Sequence, residues 1–364
     1  MLMLNPQASS SGKSVSKAMG KIALGRISQK FRWLTENFTD AEAPLSQVPA
    51  QVPGEESSDY ASFNAEVVRV DPQGQIISRE QRRISYYSVD LGQGVTLEMV
   101  PVPAGTFTMG QTNAEKAELI RQVGRKNYKH WYGGELPRHS VRVPAFSMGK
   151  YLVTQAQWRA VAALPKVNRD LSANPAKFKG DNRPVEQVSW EEAMEFCDRL
   201  SAHSGQTYTL PSEAQWEYAC RAGTLAPFHC GETTTTDLAN YQGVDGWEHE
   251  GKTYPGCYGQ GPRGENRQQT TDVGSFPANA FGLYDMHGNL FEWCLDHFHH
   301  NYRGAPTDGS AWVGGDSGRR ILRGGSWGVS PRACRCAYRF FTFPAEGKLD
   351  LIGFRVVRVS PRPT

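Results

Sequence analysis

The sequence predicts an α+β domain, rich in loops, with short strands and a few helices. Three observations carry this. Thr154, Ser189 and Ser212 each stand just before a stretch of helical composition, so helix starts recur along the chain. Between and around them lie short β-branched or alternating runs bounded by glycine, the pattern of short strands. Glycine (37) and tryptophan (9) are both plentiful, which suits an irregular fold pinned by aromatics better than a helix bundle.

Taken in order, residues 1–40 form a segment unlike the rest. Lys13, Lys17, Lys21, Arg26, Lys30 and Arg32 supply basic charge with no acid between them, and Met19, Ile22, Ala23, Ile27, Phe31 and Leu34 recur at three- and four-residue spacings. This reads as a basic amphipathic helix, either a contact for a membrane surface or partner through residues 13–34, or a leader packed on the body. It lacks the continuous apolar region of a secretory signal, so a cytoplasmic protein is expected, with peripheral membrane association as a variant. Residues 41–84, rich in Pro, Ser, Ala and Glu at their start, read as a linker with a possible short strand. The globular part then runs over 85–359, with 360–364 as a tail.

Within it, Ile84–Leu91, Val95–Val100, Thr106–Gly110 and Phe146–Val153 read as strands, and Asn113–Tyr128 as a helix with Ala114, Ala117, Leu119, Ile120 and Val123 on one face. Thr154 caps a helix over Gln155–Leu164. Ser189 with Glu192, and Ser212 with Gln215, are capping boxes opening helices that run to His203 and Ala222. Residues 223–275 are glycine-rich and weakly periodic, and a loop of that size needs internal ties.

Charge is nearly balanced at +3, which argues against a dedicated nucleic-acid binder, and no run is long enough for a transmembrane helix. No nucleotide-binding loop or zinc-protease motif is present. The seven cysteines, an odd number without an export signal, favour mostly reduced thiols. His297, His299 and His300 make a conceivable metal cluster, but their spacing matches no recognised ligand set, and solvent-exposed or capping roles are the simpler reading.

Six collinear blocks carry a resemblance. They are Met99–Gly110, Tyr151–Trp158, Arg183–Trp190, Leu210–Gly223, Asn279–Trp293, and the pair Arg323-Gly-Gly-Ser-Trp327 and Ile352-Gly-Phe-Arg355. In these the chain resembles the formylglycine-generating-enzyme family, the sulfatase-modifying-factor domain. The resemblance implies a C-type-lectin-like fold with bound structural calcium, for which Asn240, Asn289 and Glu292 match ligand positions. It also places Cys220 and Cys336 where secreted members carry a disulfide, while Cys197 lacks its family partner because Val356 occupies that position. Cys197 is therefore expected as a buried free thiol.

In the oxidases of this family, two cysteines after the Gly-Gly-Ser block bind copper(I), a soft ion suited to sulfur. Here the first of those positions is Val329, which can neither ligate copper nor exchange thiols. The enzyme alternative, oxidation of a substrate-peptide cysteine to formylglycine, therefore has to rest on Cys334 and Cys336 with Ser326. Cys334 and Cys336 would share a face if the segment were a strand.

The segment between Trp327 and Ile352 follows neither a helical nor a strand period. Its placement between the two blocks also resembles the variable proteins of diversity-generating retroelements, a subclass whose C-terminal segment displays a ligand-binding face; Glu346 and Lys348 depart from that pattern. Phe340, Phe341 and Phe343, with Tyr338, Arg335 and Arg339 nearby, form a group of types enriched at binding hot spots, the alternative being that the phenylalanines fill the core. The leading expectation is thus a non-catalytic protein that holds a protein or other macromolecular ligand. Its binding face would be Trp327, Gly328, Val329, Ser330, Arg332, Ala333, Arg335, Tyr338, Arg339, Phe340, Phe341 and Phe343.

Overall fold

The structure is a computed structural model and describes residues 60–247, 253–340 and 346–359. The basic segment 1–40 and the tail 360–364 lie outside the described residues. The expected linker does not extend to residue 84. Its described part is a long hairpin of β1 (Ala61–Val70) and β2 (Ile76–Asp90), in antiparallel register from Ala61 opposite Tyr86. Asp71 closes the turn, its side-chain oxygen accepting from the backbone of Gln73 and Gln75. The hairpin was hidden because Arg79, Glu80, Arg82 and Arg83 crowd β2, masking its alternation. Its partner β1 nevertheless buries Ala65, Val67, Val68 and Val70.

Next come β3 (Thr96–Val102), β4 (Gly105–Met109), the helix α1 (Asn113–Trp131), β5 (His139–Val143) and β6 (Phe146–Gly149). Only the first half of the expected strand 146–153 is extended. Helices α2 (Gln155–Ala162), α3 (Trp190–Ser204) and α4 (Glu213–Arg221) start at Thr154, Ser189 and Ser212, and each cap is a reciprocal capping box. Thr112 with Glu115 opens α1 in the same way. The short strand β7 (Tyr208–Thr209) precedes α4. The 223–275 loop carries one small hairpin, β8 (Gly246–Trp247) with β9 (Thr253–Tyr254). The chain ends through β10 (Phe291–Phe298), β11 (Asp316–Arg323), β12 (Ile352–Gly353) and β13 (Val357–Arg358).

Six strands make the main sheet in the order β1-β2-β3-β6-β13-β7, and β11-β10-β12 make a second. The Ile352–Arg358 stretch joins them: β12 lies parallel to Phe291 and Glu292, and β13 pairs antiparallel with both β6 and β7. A side chain at Gly353 would lie 2.5 Å from the Val185 carbonyl, so this crossing admits only glycine. Two apolar clusters fill the fold. One gathers Trp158, Phe196, Trp293 and Phe354; the other gathers Phe146, Met148, Trp216 and Cys336. Trp158 stacks on Phe196 while Phe354 meets both edge-on.

Candidate functional site

The Arg323–Trp327 block turns the chain out of β11 on left-handed glycines. Gly324 and Gly325 have φ of +91° and +77°, and a side chain at Gly325 would strike the Cys334 sulfur at 2.4 Å. The turn can therefore fold back on the one helical turn Pro331–Cys334 that follows. That helical turn decides the thiol geometry. Cys334 ends it, so Cys334 and Cys336 do not share a strand face as expected. Cys334 packs in the first apolar cluster, while Cys336 packs in the second, 3.5 Å from Cys220. The arrangement proposed for copper is not formed, and Ser326 is buried with its hydroxyl unbonded to protein.

Cys336 instead faces Cys220 and His287, all three buried, with donor atoms within 4.8 Å of one another. The His287 Nε2 accepts the backbone N–H of His229 at 2.9 Å, which leaves the ring proton on Nδ1, 2.7 Å from the Cys334 carbonyl. A metal at Nδ1 would have to displace that proton, so the trio is a thiol pair with a hydrogen-bonding imidazole and not a formed ligand set. Burial pushes the Cys220 thiol well up. Burial acts in the same sense on Cys336, but hydrogen bonds from Cys220 and His287 and the nearby Arg221 charge bring it below the ordinary thiol range. Cys220 thus keeps its proton and donates it toward Cys336. The resemblance to a disulfide position matches this adjacency. Cys197 is a buried free thiol.

The arginines expected on a binding face hold the segment down instead. Arg335 is fully buried, bonded to Glu115 at 2.9 Å and Glu135 at 2.7 Å. Arg339 clasps Glu213 at 2.6 Å, and Arg323 reaches Glu217 and the Cys336 and Ala337 carbonyls. Arg221 completes the set with Glu217. Burial pushes Glu135 up to about 7 despite the opposing Arg335 charge. Ser330, Arg332, Ala333 and Tyr338 are buried as well. Sequence reasoning missed this because the partners, Glu115, Glu213 and Glu217, lie in the distant helices α1 and α4. The available signal was Glu213 and Glu217 four residues apart within the largely apolar run around Trp216, where an acid requires a cation.

Of the expected face, Trp327, Gly328, Val329 and Phe340 remain half-buried at the surface, while Phe341 and Phe343 lie outside the described residues. Trp327 donates its indole N–H to the Asp350 carbonyl at 2.9 Å and meets Phe178 edge-on at 5.5 Å. Phe340 stacks on Phe291 at 5.1 Å and pairs with Leu322, so it also supports β10 and β11.

Of the residues expected at a calcium site, Glu292 and Asn289 have protein partners. Glu292 is bound on both oxygens by Arg355, at 2.6 and 2.9 Å, and a guanidinium there opposes a second cation. The Asn289 side-chain oxygen accepts from Thr271 N–H and the Asn240 amide. Asn240 keeps a buried oxygen without a protein partner. The histidines also act singly: His297 accepts from Gly314 N–H, and His299 lies flat on Trp312 at 3.6 Å. No helix among the described residues is long and apolar enough to cross a membrane.

The chaperone protein LppX of Paenibacillus barcinonensis is 30% identical over 255 residues, spanning 60% of this chain and 82% of that protein. Formylglycine-generating enzyme of Mus musculus is 29% identical over 307 residues, spanning 71% of this chain and 74% of that one. Among solved structures, PvdO from Pseudomonas aeruginosa superposes with a TM-score of 0.57 at 31% identity, covering 74% of this chain and 97% of PvdO. Treponema denticola variable protein 1 gives 0.57 at 23% identity, covering 75% and 98%, a likeness of fold. The fold is thus the C-type-lectin-like one of the formylglycine-generating type. Since residues 91–360 match the sulfatase-modifying factor enzyme 1-like domain, the chain belongs to the formylglycine-generating, sulfatase-modifying-factor family.

Proposed function

We propose that this chain is a non-catalytic member of its family that binds a macromolecular ligand, a protein by preference, through the surface around Trp327. The observation that carries this reading is the loss of the thiol pair. Val329 stands at the first cysteine position, and the two remaining thiols of the segment point into different cores. Buried Arg323, Arg335 and Arg339 tie the segment down from below, so Trp327, Gly328, Val329 and Phe340 are presented on a rigid base, which lowers the ordering cost of binding. The fold shared with the Treponema variable protein is consistent with a display role.

The enzyme reading, oxidation of a peptide cysteine to formylglycine, has the family and the mouse relative in its favour. One experiment separates the two. Reduced protein is titrated with copper(I), then incubated in oxygen with a peptide carrying Cys-x-Pro-x-Arg, and the peptide mass is followed. The expected outcome is no formylglycine product. In parallel, a photo-crosslinker at Gly328 should capture a ligand that Trp327→Ala no longer captures at unchanged melting temperature. Stoichiometric copper together with product would overturn the proposal.

A further inference from the structure

A cleft of about 520 Å³ is lined by Asn113, Leu136, Pro137, Arg138, Asn301 and Arg303 among others, and by none of the residues around Trp327. Its volume falls in the range of small-molecule sites. Its two walls are tied together. The Tyr302 N–H donates to the Leu136 carbonyl at 2.8 Å, and His139 packs against the Tyr302 ring at 5.0 Å. Asn301 fixes the turn by accepting from the Arg303 backbone at 2.9 Å, and Arg339 bonds the Gly134 and His299 carbonyls from beneath. The Tyr302–Leu136 bond holds the segments carrying Arg138 and Arg303 side by side, and both arginines line the cleft.

The chemistry of the lining is one-sided. Arg138 and Arg303 are both exposed, and neither guanidinium has an ion-pair partner among the described residues. No acid lines the cleft. The amide N–H groups of Asn113 and Asn301 are also uncommitted, so the rim has free neutral donors beside the two guanidiniums. Nor do the charges beneath answer the two arginines. Under the cleft and the adjoining segment, Arg221, Arg323, Arg335 and Arg339 are matched by Glu115, Glu135, Glu213 and Glu217, four against four. Two unpaired guanidiniums on a concave surface suit a ligand bearing a carboxylate or phosphate, which a guanidinium fork meets with paired hydrogen bonds.

We propose that this cleft binds a small oxyanion-bearing ligand, with Arg138 and Arg303 as its charged contacts and Asn113 and Asn301 as neutral donors. The cleft shares no lining residue with the Trp327 surface, and the proposal does not depend on the function assigned to that surface.

The test titrates the full chain at low ionic strength with inorganic phosphate and, separately, with succinate, reading heat and the arginine Nε–H signals by NMR. Saturable binding is expected, weakened about fivefold or more in Arg138→Gln and in Arg303→Gln. Arg125→Gln, an exposed arginine that does not line the cleft, should leave binding unchanged. Tighter phosphate binding would assign a phosphorylated ligand, and tighter succinate binding a carboxylate one. No saturable binding of either anion, or an equal loss in all three variants, would overturn the proposal; melting temperatures verify that the variants are folded.

Discussion

Arg355 and Glu292 show what single residues contribute. Both are fully buried, and the guanidinium takes both carboxylate oxygens while also donating to the Gly149 and Tyr284 carbonyls. Removing one charge of such a pair leaves the other uncompensated in a low-dielectric interior. Glu292→Gln is expected to cost about 3–5 kcal/mol in urea unfolding, whereas Glu292→Leu combined with Arg355→Met should recover much of the loss. A loss below about 0.5 kcal/mol for the single variant would show that the pair is solvated, contrary to the structure. The same logic reassigns Arg335 and Arg339. Their residue types suggest a binding surface, but their partners make them struts beneath one.

The helix starts are the elements most directly encoded. Thr154, Ser189 and Ser212 each accept from the backbone N–H three residues on, and Gln157, Glu192 and Gln215 reach back to the caps. Ser212 differs from the others because its hydroxyl also donates to the Gly309 carbonyl at 2.7 Å, tying α4 to a distant loop. Ser189→Ala should therefore cost about 1 kcal/mol and Ser212→Ala about 2 kcal/mol, read as midpoint shifts at unchanged urea dependence. Equal costs would show that the Gly309 tie contributes nothing. The hairpin β1–β2 illustrates the opposite case. Its pairing partner for β3 is legible from residue 84 onward, but its outer half reads as polar until the Val68 and Val70 face is seen against the body.

At the scale of the whole molecule, buried carboxyls set the response to pH. Burial pushes Glu135 from 4.5 up to about 7, and burial with the Glu213 charge pushes Asp296 from 3.8 up to about 7. Each binds its proton more tightly folded than unfolded. The stability they contribute is therefore present below their unfolded values and lost as pH rises through the folded ones. Glu217 runs the other way: despite burial, the Arg221 and Arg323 charges hold it low, so its contribution is lost as pH falls. Thermal melting should thus decline from about pH 5 to about pH 7, with a shallower slope in Asp296→Asn and in Glu135→Gln. A slope unchanged in both variants would show that these carboxyls are not the groups responsible.

The sequence by itself determined the family, the α+β character, the three capped helices after residue 150 and the absence of a cysteine at position 329. These rest on local chemistry: a cap needs only its own first turn, a glycine block only its own backbone, and a missing thiol only its own position. Only the tertiary structure decided which residues of the C-terminal segment face outward. An arginine's exposure depends on whether a carboxylate waits in the core, and the answers for Arg335 and Arg339 came from Glu115, Glu135 and Glu213, between 126 and 220 residues away. The resemblance already set Cys336 beside Cys220, whereas the packing of Cys334 into a different cluster was settled only by the helical turn Pro331–Cys334.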